Sequence, residues 1–160
     1  PKLQTTIFNG FELRAAVTPY TGGGYMHATD DRTPVTFITR YYLDKIKRLC
    51  DAHGTKLLFV TAPSPVNHTM QRHNEVQALA DALAVPYLDL NLNTEELGID
   101  WNLDTLDGGD HLNYTGCQKA TAYLQWYMQT HYTLPDRRDD VRYEAWNKQA
   151  EEFEKLLPQP

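Results

Sequence analysis

Positions 104–116 read Asp-Thr-Leu-Asp-Gly-Gly-Asp-His-Leu-Asn-Tyr-Thr-Gly, so three carboxylates fall at steps of three just ahead of an imidazole. A histidine beside a carboxylate can be held in one tautomer and used as a general base. The two glycines let the chain turn sharply between the acids, and Asn113 is placed to cap a following helix. Two other uses compete with acid–base chemistry. Asp104, Asp107, Asp110 and His111 offer ligands for zinc or manganese, but a calcium loop would need a closing Glu and regular oxygen ligands that this stretch lacks. Asp110 or Asn113 could instead serve only as a helix cap, accepting amide hydrogens at the positive end of the helix dipole. The acid–base reading makes His111 the base, with Asp107 or Asp110 orienting its ring. It assigns no metal and no cofactor.

No nucleophile motif accompanies this block. Ser64 is the only serine in the chain and lies between Pro63 and Pro65, outside the Gly-x-Ser-x-Gly elbow that would expose a nucleophile. It reads as a loop hydroxyl. His68 and His73 are five apart, do not share a helix face, and are expected to be solvated. Gly22–Gly24 has no Lys-Ser/Thr behind it and no helix to follow, which argues against a phosphate cradle. Cys50 and Cys117 are too few for a disulfide framework and too far apart for a metal motif; they read as two small buried thiols.

The elements that must position these residues alternate. Ile38, Tyr42, Ile46, Leu49 and Cys50 recur at helical spacing until His53-Gly54, a C-cap signal. Leu57–Val60 is a short apolar run closed by a proline-rich loop, the pattern of a buried parallel strand. Val76, Leu79, Ala80 and Leu83 mark a second helix, Pro86–Leu90 a second strand, and Ala120, Tyr123, Leu124 and Tyr127 a third helix that Pro135 would stop. Helix and strand in alternation imply parallel strands joined by crossovers, and ligands in such sheets sit beyond the carboxyl ends of the strands. The loops at 61–68 and 91–113 leave those ends. Residues 1–36 read as a loop-rich segment with a hairpin around Ile7–Ala15, residues 37–134 as the α/β part, and residues 135–160 as a closing segment with an amphipathic helix on Trp146, Ala150, Phe153 and Leu157.

At 160 residues and 41% hydrophobic content the chain can bury a core of its own. A net charge of -6 argues against a nucleic-acid partner, since neutralising phosphates needs a basic face. No stretch approaches the roughly 20 apolar residues of a membrane span. The first residue is proline, so the chain is read as a piece of something longer, and the missing leader says little about location.

Leu57–Pro65, Val85–Leu90 and Asp107–Gly116 together resemble the last part of an SGNH (GDSL-like) hydrolase domain. In that family a strand ends in a Thr-Pro-Pro-like loop, the last strand ends in an Asp-containing turn, and an Asp-x-x-His block carries two triad members. Asp110–Lys119 is similar to the Asp-His-Leu-Asn-x-x-Gly-Ala-x-Lys signature of bacterial SGNH proteins related to cell-surface acyl-transfer enzymes, which act on alginate or in teichoic-acid alanylation. The resemblance spans about residues 37–131. It implies a partial three-layer, flavodoxin-like parallel sheet with flanking helices and its N-terminal part missing. It also implies a serine esterase or O-acyltransferase acting on cell-surface carbohydrate or a similar ester, located at the cell surface or outside the cell, with His111 as its base. The family places its aspartate three residues before the histidine, where this chain has Gly108. The orienting acid is then Asp107, one residue early, or Asp110, next door; Asp107 is preferred because the two following glycines can re-aim it. The family's nucleophilic serine and oxyanion groups precede the helix at 37 and have no counterpart here, so an upstream segment of the same protein, or a second copy, is the expected partner. The alternative is a non-catalytic carbohydrate- or protein-binding module that keeps the Asp/His block as a helix cap and presents the aromatic residues of 11–25 and 123–146.

Overall fold

The structure, a computed structural model, describes residues 11–157 and is mixed α/β with little sheet. Its elements are α1 (Phe37–Ala52), β1 (Phe59–Thr61), α2 (Met70–Leu83), β2 (Tyr87–Asp89), α3 (Tyr114–His131) and α4 (Glu144–Glu154). The described chain divides into two compact units, Ala15–Tyr123 and a second formed by residues 11–14 with 124–157.

In the first unit β1 and β2 run parallel, with Phe59 opposite Tyr87, Val60 opposite Leu88 and Thr61 opposite Asp89. Parallel neighbours need a crossover, and α2 supplies it. Local chemistry sets the helix ends. Thr36 Oγ1 accepts from the Thr39 amide at the start of α1, and Thr69 Oγ1 does the same for Arg72 at the start of α2. At the end of α2 the chain turns through Ala84, whose φ of +50° is left-handed, and the Val85 amide returns to the Ala80 carbonyl at 2.9 Å. A non-glycine residue there costs about 1–2 kcal/mol, which burial of the neighbouring apolar side chains must offset. Val85, Leu88 and Leu90 are buried with Leu79, Ala80 and Leu97 and form the apolar core.

Helix α1 departs from expectation. Its apolar stripe is present, but none of its residues is buried, and Ile38, Tyr42, Ile46 and Leu49 all face solvent. Among the described residues the sheet has two strands, and no element covers this stripe. Cys50 and Cys117 are both half-buried, so neither is the buried thiol the sequence suggested.

In the second unit Phe11 meets Phe153 edge-on at 5.3 Å between ring centres. Asp140 caps the turn Val141–Tyr143 that leads into α4. Helix α3 stops at His131, short of Pro135, and α4 carries Trp146, Ala150 and Phe153 of the amphipathic stripe. Residues 7–10 of the segment suggested as a hairpin around Ile7–Ala15 lie outside the described residues. No described helix is long and apolar enough to cross a membrane.

Candidate active site

Three loops of the first unit meet beyond the carboxyl ends of its strands. The loop after β1 holds Pro63 and Pro65 buried, with Ser64 between them. The residue that fixes it is Asn91, in the short turn after β2. Asn91 Oδ1 accepts from the Ser64 amide (2.8 Å) and the Tyr25 hydroxyl (3.1 Å). Its Nδ2 donates to the Ala62 carbonyl (3.0 Å) and to Asp89 Oδ1 (2.8 Å).

The third loop carries the Asp/His block. Thr105 and Leu112 form an antiparallel bridge, and the Leu106 amide donates to the His111 carbonyl at 2.9 Å, so residues 106–111 close on themselves. Gly108 and Gly109 make this closure possible, with φ of +77° and +98°. At Gly109 a Cβ would also lie 2.8 Å from Pro65 and 2.9 Å from the Tyr20 ring, so only glycine fits.

Within that loop Asp107 grips His111 twice. One carboxylate oxygen accepts from the His111 amide and the other from its ring Nδ1, both at 2.7 Å. A carboxylate can only accept, so Nδ1 carries a proton, and in the neutral ring Nε2 is the lone-pair nitrogen. The side chain of His111 is 67% exposed. Asp107 raises the pKa of the imidazole by its hydrogen bond and, with Asp110, by its charge. Desolvation pushes the Asp107 carboxyl up, but the bonds from His111 outweigh it and leave it below the usual carboxylate range.

Asp110 stands apart from this pairing. Its nearest oxygen is 3.7 Å from Nδ1, and its carboxylate is bonded to Asn67 Nδ2. It does not cap α3. Asn113 does, accepting from the Gly116 amide at 3.2 Å. Asp104, although in step with the other two acids, is buried and accepts from Lys119 Nζ (2.5 Å), Thr115 Oγ1 (2.8 Å) and the Asp100 amide (2.7 Å). Burial raises its pKa, but these donors win and the net shift is downward. It anchors the start of α3. Gly116 permits this, because a Cβ there would strike the Asp104 carbonyl.

Ser64 is committed elsewhere than to His111. Its hydroxyl donates to the carbonyls of Asp110 (2.9 Å) and Gly109 (3.2 Å), tying the first loop to the third.

Two features go beyond what local spacing in the sequence shows, the second of them touching the aromatic segment 11–25 already singled out. His68 and His73 are not solvated. His68 Nε2 and His73 Nδ1 each lie 2.8 Å from Asp89 Oδ2, and the side chains of His68 and Asp89 are 7% and 1% exposed. The aspartate closes β2 and is 21 and 16 positions from the two rings in sequence, and no local spacing rule spans that. The second is a groove of about 510 Å³ walled by Tyr20, Tyr25 and Trp101, with Asn91, Thr94 and His27 on its lining. Both tyrosines meet Trp101 edge-on, at 6.2 and 6.0 Å. Tyr20, packed on Gly109, joins the groove to the Asp/His loop. The ligand atoms of His68, His73 and Asp89, and separately those of Asp107, Asp110 and His111, lie within 4.8 Å of one another. No family model, curated protein or solved structure matches the chain.

Proposed function

We propose that the chain is the histidine–aspartate part of an SGNH-type serine esterase or O-acyltransferase acting on an ester, such as an acylated carbohydrate of the cell surface. The observation that carries this reading is the Asp107 clamp on His111, which holds the ring in one tautomer and leaves Nε2 on an exposed imidazole. In the mechanism, Nε2 takes the proton of a serine hydroxyl as the oxygen attacks the ester carbonyl, and returns it to the departing alkoxide. Asp107 stabilises the imidazolium between those steps. The attacking serine is supplied by polypeptide outside these 160 residues, upstream in the same protein or from a second copy. Ser64, the one serine here, is spent on two carbonyls. The exposed apolar stripe of α1 and the exposed Val60 on β1 offer the surface on which that segment would complete a three-layer, flavodoxin-like sheet. A site assembled in this way lies at the cell surface or outside the cell, by the same family resemblance.

The aromatic groove favours a second reading, a carbohydrate- or protein-binding module in which the Asp/His loop only shapes the wall through Tyr20 and Gly109. A fluorophosphonate probe, which labels activated serines, separates the two. The 160-residue chain alone should stay unlabelled and turn over p-nitrophenyl acetate negligibly. A protein that includes the upstream segment should be labelled, and His111→Ala should abolish the labelling. Labelling of Ser64 would overturn the assignment of the nucleophile. Labelling of the longer protein undiminished by His111→Ala would leave the binding module standing.

A further inference from the structure

The chemistry proposed at His111 makes no use of the second imidazole–carboxylate cluster, and that cluster is too convergent to be only a tie. His68 comes from the turn before α2 and His73 from its first turn, yet both rings converge on one oxygen of Asp89 at the end of β2. His68 Nε2 and His73 Nδ1 lie 2.8 Å from Asp89 Oδ2, and the Tyr87 hydroxyl is 3.1 Å from the same atom. A carboxylate oxygen has two lone pairs. Two ring nitrogens and a phenol thus converge on one acceptor oxygen, and the phenol is also 2.9 Å from Thr61 Oγ1.

From this convergence we infer that His68 Nε2, His73 Nδ1 and Asp89 Oδ2 form a divalent-cation site whose donor set suits zinc. Two imidazoles and a carboxylate are the three-ligand set of zinc sites that keep a fourth position open. The supporting shell is already in place. Asn91 holds Asp89 Oδ1 through both its backbone amide (3.0 Å) and its Nδ2 (2.8 Å), which turns Oδ2 toward the rings, and such partners set ligand orientation in metal sites. Tetrahedral zinc at about 2.0–2.1 Å from its ligands spaces them about 3.3 Å apart, so each ring nitrogen need move from Asp89 Oδ2 by only about half an ångström, and the three ligand atoms already lie within 4.8 Å of one another. Each neutral ring moves its proton to its other nitrogen, and binding then requires no net proton release. The fourth position falls to the Tyr87 hydroxyl or to water entering from a cavity of about 450 Å³ that His68, Thr61 and Glu75 line.

The test uses the 160-residue chain freed of metal by chelator and dialysis. Addition of zinc at about a hundredfold excess over its Kd should raise the Tm by roughly 5–10 °C, and cobalt(II) should give the visible absorption of a four-coordinate nitrogen–oxygen site. His73→Ala, at the more accessible ring, should weaken zinc binding at least about 100-fold. His111→Ala should bind zinc as the wild type does, which separates this site from the exposed Asp107–Asp110–His111 group. Should His73→Ala fail to fold, the cobalt spectrum of the wild type beside that of His111→Ala still decides. Absence of both the Tm rise and the cobalt absorption in the wild type overturns the inference and leaves a hydrogen-bonded cluster only. A zinc response lost in His111→Ala overturns it as well.

Discussion

His111 with Asp107, and His68 and His73 with Asp89, use the same two kinds of side chain at nearly the same spacing, 2.7 Å in one case and 2.8 Å in the other. One pairing stands on a glycine turn with most of its imidazole in solvent; the other is largely buried at the end of β2. An exposed pair contributes little to stability because water screens it and competes for its partners. That same access lets a ring exchange protons with a substrate. A buried pair cannot be reached in this way, yet breaking it strands a polar group out of water. Residue type and distance alone therefore do not decide what an imidazole–carboxylate pair can do. Burial and the identity of the third partner do.

The sharpest break in the comparison is Asp89→Asn, which turns an acceptor of several donors into a group that presents its own N–H to two imidazoles. Urea denaturation should show a loss of about 3 kcal/mol or more, whereas Asp107→Asn should change stability by less than about 0.5 kcal/mol. Equal effects would erase the distinction between the two pairings.

Next in size is the rate effect, measured in a protein that includes the serine-bearing segment. His111→Ala should lower acyl transfer at least about 100-fold while leaving the urea midpoint in place. Asp107→Asn should do most of the same damage by releasing the ring tautomer, and Asp110→Asn should do less, because Asp110 holds Asn67 rather than the ring. Reversal of the two aspartate effects would move the orienting role to Asp110.

A smaller structural effect attaches to Gly116, where Gly116→Ala should cost about 1–3 kcal/mol by overpacking against Asp104. A fully stable alanine variant would mean that the start of α3 has slack.

The smallest effects are in pH. The carboxyls of Asp89 and Asp104 are held below their unfolded values, so the stability they contribute is complete above about pH 4 and is lost as the pH falls through their folded values. His111 moves the other way. Its raised pKa keeps the ring protonated to higher pH, so the acid limb of the rate profile should lie above about 6.5, and Asp107→Asn should shift it downward. An unmoved limb would separate the pairing from the titration of the base.

Much of the scaffold was legible in the sequence because its signals are local. The stripes of α1, α2 and α3 repeat within a few residues, and the proline-flanked position of Ser64 marks a loop hydroxyl. The pairing of Asp107 with His111 was within reach for the same reason, since the two glycines between the acids are what allow the turn. What escaped was set by distance. His68 and His73 look unrelated when judged by helical spacing, but His68 precedes the helix, so the rule does not apply to it. Asp104 looks like the first of three equivalent acids until the fold brings Lys119 to it. The apolar stripe of α1 shows that a pattern can specify a face without specifying what covers it.

Asn91 has two acceptor and two donor positions, and all four are taken: Ser64 and Tyr25 on the oxygen, Ala62 and Asp89 on the nitrogen. Aspartate has the right length but nothing to give to Ala62 or Asp89, glutamine is one methylene too long, and serine has a single proton to share. Of the genetically encoded residues, then, one alone fits this position. Loss of this one amide would at once loosen the aromatic groove, the Ser64 loop and the Asp89 cluster, so three parts of the fold share a single point of failure.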